Sequence, residues 1–166
     1  MTIQDNFTPA EWTTLLQTPM TAGMAIISSD VGITSVPKET AAMMRAILEN
    51  PIPEGAGELV GALVADMKAK AENKEQIAAP DIKGKDPQAI AAELSANLQN
   101  AALLADSKLS AESAQAYKEW VYSVAQSVAE AGKEGGFLGI GAERVSSQEK
   151  TALAALRSDL GLAPLA

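Results

Sequence analysis

Between Ser110 and Gly132, the residues Ala114, Tyr117, Val121, Val124, Val128 and Ala131 recur at intervals of three and four. A helix of 3.6 residues per turn gathers such positions on one side, whereas a strand would divide them between two faces. Leu109-Ser110 stands just ahead as an apolar residue and a cap. Glu112 falls in the first turn, where the helix dipole favours an anion. A stripe this long must be buried against something, and the rest of the chain shows what.

The same period and the same start signals recur elsewhere. Thr8 is a cap, Pro9 suits the first helical position and Glu11 completes a capping box. Trp12, Leu15, Leu16, Pro19, Met20, Gly23 and Ile27 then share a face as far as about Ser28. Pro19 lacks an amide donor and crowds the Leu15 carbonyl, so a kink or two shorter helices is expected there. After a connector over 30–36, Ser35 and Pro37 open a second helix with Met43, Met44, Ile47 and Leu48 inward, stopped by Asn50-Pro51. A third runs from Glu54 or Glu58 to Glu72 with Leu59, Val60, Leu63, Val64 and Met67 inward. On it Gly57, Gly61, Ala65 and Ala69 make a smooth ridge, read as close packing within the bundle. Asp86-Pro87 begins a fourth, with Ile90, Leu94, Leu98 and Ala101 in register to about Asp106. Val145-Ser146 and Glu149 form another capping box before Leu153, Leu156 and Leu160, and Gly161 is the stop.

Alanine supplies about a fifth of the 166 residues, and aromatics number only six. Alanine has the highest helix propensity, and its small side chain lets helices approach closely. The expected fold is therefore all-α, a single domain over 1–166 with about five to seven helices. Residues 73–86 are the longest irregular stretch and are expected to form a mobile loop. DIKGKD within it lacks the oxygen ligands and downstream Glu of a calcium loop.

A glycine-rich connector, GGFLGIG, precedes the last helix. It follows a helix rather than a strand and lacks the Gly-Lys-Ser/Thr end of a phosphate loop, and Arg144 breaks the dinucleotide spacing. Its content is apolar, so Gly135, Gly136, Phe137, Leu138, Gly139, Ile140 and Gly141 form either a plug on the bundle end or a finger that docks a partner. These seven residues are the candidate interaction loop.

Charge and composition exclude more than they assign. The formal net charge is −8, which phosphate backbones repel, and the lysines over 68–85 are interleaved with acids. No nucleic-acid partner is expected. The uncharged run 12–29 carries four Thr, a Gln, two Ser and Pro19, too polar for a membrane span. The first residues do not open like a signal peptide, and a cytoplasmic location is expected. The chain has neither cysteine nor histidine, which removes thiolate chemistry, the usual base at neutral pH and the common zinc and haem ligands. Glu54 and Glu58, or Glu130 and Glu134, could share a cation, but a helix-end pair answered by the dipole, Lys133 or Arg144 is the simpler reading. No cofactor, no metal and no catalytic residue are expected.

FTPAEW and PMTAGMA near one end, with EGGFLGIGAERVSSQEKTALAAL near the other, resemble an uncharacterised family of small bacterial all-helical proteins. The resemblance implies a helical fold and brings no activity. The expected role is a non-enzymatic protein-interaction or regulatory module, acting on a protein partner or a second copy. The alternative is a bundle that binds an apolar small molecule or lipid, using Met20, Met24, Met43, Met44 and Met67. A carboxylate-based enzyme is the remotest reading.

Overall fold

The computed structural model describes residues 2–29, 36–132 and 145–165. They form a single 3-10 turn, Ile3–Asn6, and six α-helices, with no strand among the described residues: α1 (Pro9–Ile27), α2 (Val36–Glu49), α3 (Gly57–Glu72), α4 (Pro87–Lys108), α5 (Ala111–Ala131) and α6 (Ser147–Asp159). The chain is an all-α single-domain bundle.

Local chemistry sets most helix starts. The Thr8 hydroxyl accepts the Glu11 N–H at 3.3 Å while Glu11 Oε2 takes the Thr8 N–H at 2.7 Å. Ser146 and Glu149 repeat this reciprocal pair at 3.2 and 2.6 Å. Asp86 and Ser110 cap α4 and α5 through their side chains. Each cap satisfies an amide that the helix cannot bond internally. Ser35 lies outside the described residues.

The bundle is organised around α5, which packs against α1, α2, α4 and α6. The expected stripe understates this burial. Beyond Ala114, Tyr117, Val121, Val124 and Val128, the residues Trp120, Tyr122, Ala125 and Ala129 are also buried. Even Lys118 is only 5% exposed, its ammonium donating to Asp106 at 2.7 Å. A helix buried nearly all round is a central post rather than an amphipathic wall.

Pro19 lies inside α1, which continues as one helix, so a break into two shorter helices does not occur. The Leu15 carbonyl, left without the amide of residue 19, accepts the buried Tyr117 hydroxyl at 3.1 Å. Trp12, Leu15, Leu16, Pro19 and Gly23 of the expected face are buried, and the inward face is broader than expected. Thr18, Thr21, Ala22 and Ile26 are buried, while Met20 and Ile27 are only partly covered. Thr18 and Thr21 tolerate burial because their hydroxyls donate to the carbonyls of Thr14 and Gln17.

Two further expectations are corrected by the packing. On α2, Met43, Ala46 and Ile47 face inward, but Met44 and Leu48 are 40% and 39% exposed. The helix packs on α1 and α5, and Asn50 just beyond its end donates its amide to the Ser123 and Ser127 hydroxyls at 3.1 and 3.2 Å. On α3, the Gly57–Ala69 ridge is not a packing surface. A Cβ built at Gly57 or Gly61 would meet nothing within 4 Å, because α3 buries its Leu59, Val60, Leu63 and Met67 side instead. Residues 73–86 contain no helix or strand. They are held by Gln17 Nε2, which donates to the Ala78 carbonyl at 2.7 Å, and by the Lys83 N–H, which donates to Glu93 Oε2 at 2.7 Å.

The glycines give a paired test. Gly61→Ala gains helix propensity in open space and is expected to stabilise by about 0.5–1 kcal/mol. At Gly23 a new Cβ would stand 2.3 Å from Met43 Sδ and 2.7 Å from its Cγ. The same change there is expected to be destabilising, because overpacking costs about 1–3 kcal/mol against a propensity gain of about 1 kcal/mol. Urea denaturation should give shifts of opposite sign. Shifts of the same sign would contradict the packing of α1 on α2.

Candidate functional site

A side-chain-lined cavity lies between α5, α6 and the segment that follows α6. It arises from a reversal. Gly161, at φ +67°, ends α6 in the left-handed conformation that glycine adopts without strain. The Leu162 N–H bonds back to the Arg157 carbonyl and the Gly161 N–H to that of Ser158, at 3.0 and 2.9 Å. This paired arrangement turns the chain back along α6. Leu162 is buried, and the chain beyond it forms the outer wall.

The resulting cavity has a volume of about 810 Å³. From α5 it receives Tyr122 and Gln126, one turn apart, and from α6 Lys150, Leu153, Ala154, Arg157 and Ser158, which share a face. Val145, Leu162, Ala163, Pro164 and Leu165 also belong to the described lining. Neither Asp nor Glu is among the described lining residues, although acids outnumber bases 21 to 13 in the chain.

Arg157 holds this region together. Its guanidinium donates to both carboxylate oxygens of Glu119, at 3.0 and 3.2 Å, and Nε donates to the Ala163 carbonyl, fixing the returning segment. The same group lies 4.9 Å from the centre of the Tyr122 ring, within range of a cation–π attraction. Tyr122 is 4% exposed. Burial raises its pKa, the Arg157 cation partly offsets that rise, and the Glu119 charge adds to it. The phenol is therefore a neutral donor at physiological pH.

No protein-family model matches this chain, and no curated protein or solved structure matches it. The geometry must carry the functional reading.

The residues singled out from the sequence fare differently. Gly135, Gly136, Phe137, Leu138, Gly139, Ile140 and Gly141 lie outside the described residues, as do Lys133, Glu134 and Arg144. Met43 and Met67 belong to the core, Met20 packs partly against it, and no methionine lines the α5–α6 cavity. Glu54 and Glu58 are exposed on either side of the α3 start. Among the described residues, no three His, Cys, Asp or Glu side chains converge as metal ligands. Tyr122, Lys150 and Arg157 drew no attention in the sequence. The available signal was the apolar Leu-Ala-Pro-Leu after Gly161, which needs a surface to lie on.

Proposed function

We propose that this chain is a ligand-binding helical domain whose guest is an apolar small molecule held between α5, α6 and the segment after Gly161. The carrying observation is the cavity of about 810 Å³ walled by Val145, Leu153, Ala154, Leu162, Pro164 and Leu165. Ligand sites of about 300–1,000 Å³ with mostly apolar walls and a few polar groups are typical of small-molecule binders. The described lining residues supply hydrogen-bond donors and no carboxylate, and the chain has no histidine, which supports binding rather than acid–base catalysis. A cytoplasmic location, and membership of the bacterial family that the end motifs resemble, belong to the same proposal.

The neutral fluorophore N-phenyl-1-naphthylamine is expected to bind saturably at one site. Ala154→Trp places an indole in the cavity from an exposed position of α6 and is expected to abolish binding while leaving the far-ultraviolet circular dichroism unchanged. Undiminished binding in that variant would reject the cavity as the site.

A second reading, a protein-interaction module, is favoured by α2 and the turn after it. Met44, Leu48 and Ile52 follow one another at intervals of four and are 40%, 39% and 43% exposed. Such a row of side chains suits helix-to-helix contact. Sedimentation velocity that finds a concentration-dependent dimer, dispersed by Leu48→Glu, would favour this reading. A monomer at every concentration would remove a second copy as the partner.

A further inference from the structure

On the outer face of α2, Met44 and Leu48 stand one turn apart, and Ile52 continues the row past the helix end. Arg45 and Glu49, also one turn apart and exposed, run along one edge of this row. There they line a cleft against α5 together with Glu130. Neither Arg45 nor Glu49 makes an ion pair among the described residues. The other edge of the row carries the exposed, uncharged Thr40. The face therefore offers hydrocarbon in its middle and one unpaired charge of each sign on a single side.

The distribution of charge points to what can approach it. Between Val36 and Pro53 the basic Lys38 and Arg45 balance the acidic Glu39 and Glu49, so the formal net charge of −8 resides in the rest of the chain. Two copies of so acidic a chain repel one another, and least where the local charge is zero. A contact between identical chains about a two-fold axis must also be self-complementary, because residue i meets j and j meets i. The α2 row meets this condition about Leu48. Antiparallel helices with Leu48 on the axis set it against its own copy and direct Met44 toward the end that carries Ile52. They also bring the same edge of both helices together. At a rise of 1.5 Å per residue, Arg45 lies about 4.5 Å from the axis and Glu49 of the other copy about 1.5 Å from it on the same side. About 3 Å separate the two along the helices, whereas the two arginines stand about 9 Å apart in that direction. A parallel pair would instead turn the Arg45 edge against the Thr40 edge and leave both charges without a partner.

We propose that a second copy of this chain docks on α2 as an antiparallel two-fold pair centred on Leu48, with Arg45 of each copy bonded to Glu49 of the other. This assignment rests on the reading of α2 as an interaction surface. The apolar row supplies the attraction, and the two ion pairs set direction and register.

Sedimentation equilibrium of the purified full chain tests the surface and the register separately. The native chain is expected to dimerise. Leu48→Glu and Leu48→Lys are each expected to be monomeric, because like charges meet on the axis, and an equimolar mixture of the two should form a one-to-one heterodimer. Arg45→Glu should weaken the dimer about fivefold, and the exchange Arg45→Glu/Glu49→Arg should return it to within about twofold of the native value. Leu48→Cys, in a chain without cysteine, should oxidise to a disulfide-linked dimer. All three positions are exposed, so circular dichroism should be unchanged in every variant. A native chain that stays monomeric at every concentration would overturn the second copy as occupant while leaving α2 open to a different protein. A dimer indifferent to Leu48→Glu would overturn α2 as the interaction surface. A dimer that Leu48→Glu disperses, but that the mixture with Leu48→Lys does not restore, would keep the surface and overturn the antiparallel register.

Discussion

Trp120→Ala is expected to destabilise the bundle by about 3–5 kcal/mol, the range for emptying a large aromatic site in a closed core. Trp120 has no exposed surface and lies at the middle of α5, the helix that four others pack against. The hollow could not collapse without moving several helices together. Its indole N–H makes no hydrogen bond among the described residues, and this predicts an asymmetry. Trp120→Phe keeps a ring but removes the orphaned donor, whose burial costs about 1–3 kcal/mol. The lost ring atoms are equivalent to one or two methylenes, at about 0.8 kcal/mol each. The two changes nearly cancel, so the phenylalanine variant should remain within about 1 kcal/mol of the native chain. Chemical denaturation of both variants measures the contrast. A phenylalanine variant as unstable as the alanine one would mean that the indole N–H has a partner essential to the core.

What could be read from the sequence follows from the range of the interactions involved. Capping boxes at Thr8 and Ser146 need only four consecutive residues, and both form where the spacing placed them. The α5 period is equally local, and it marked the right helix as dominant. Which side of a helix ends up inward is a different matter. Met44 and Leu48 have the same hydrophobicity and spacing as residues that are buried, yet α2 meets α1 and α5 through Met43, Ala46 and Ile47 and leaves them outward. Gly57, Gly61, Ala65 and Ala69 look like a packing ridge in any one helix. Whether another helix comes close is decided by the rest of the bundle, and here none does at the two glycines.

The candidate site was less legible still. Gly161 was recognisable as a helix stop, but a stop signal does not say where the following residues go. The cavity exists because the chain doubles back and Arg157 bonds Ala163, bringing Leu165 beside residues on α5 and α6. Nothing in the spacing of Tyr122 and Lys150 distinguishes them from ordinary residues on two helices. The glycine segment attracted notice for its composition, and it lies outside the described residues.

The proline in α1 leads to the second large effect. Tyr117→Phe is expected to cost about 1–3 kcal/mol, because the buried Leu15 carbonyl would lose its hydroxyl donor and have no amide from residue 19 to replace it. Pro19→Ala restores that amide. In the Pro19→Ala background the same tyrosine change should cost at least about 1 kcal/mol less, a coupling of the size expected for residues that share one partner. Tyr117 belongs to α5 and Leu15 to α1, 102 positions apart, so the cycle reports a tertiary bond rather than helix propensity. Alkaline titration gives an independent measure. Burial holds the Tyr117 pKa well above its ordinary value of 10.0, so the unfolded chain releases this proton first. The stability that the neutral phenol confers is complete below about pH 10 and declines as the pH rises beyond it. The decline should be shallower in Tyr117→Phe. Equal costs in both backbones, together with an unchanged alkaline slope, would show that Leu15 does not depend on the hydroxyl and that α1 carries its proline by other means.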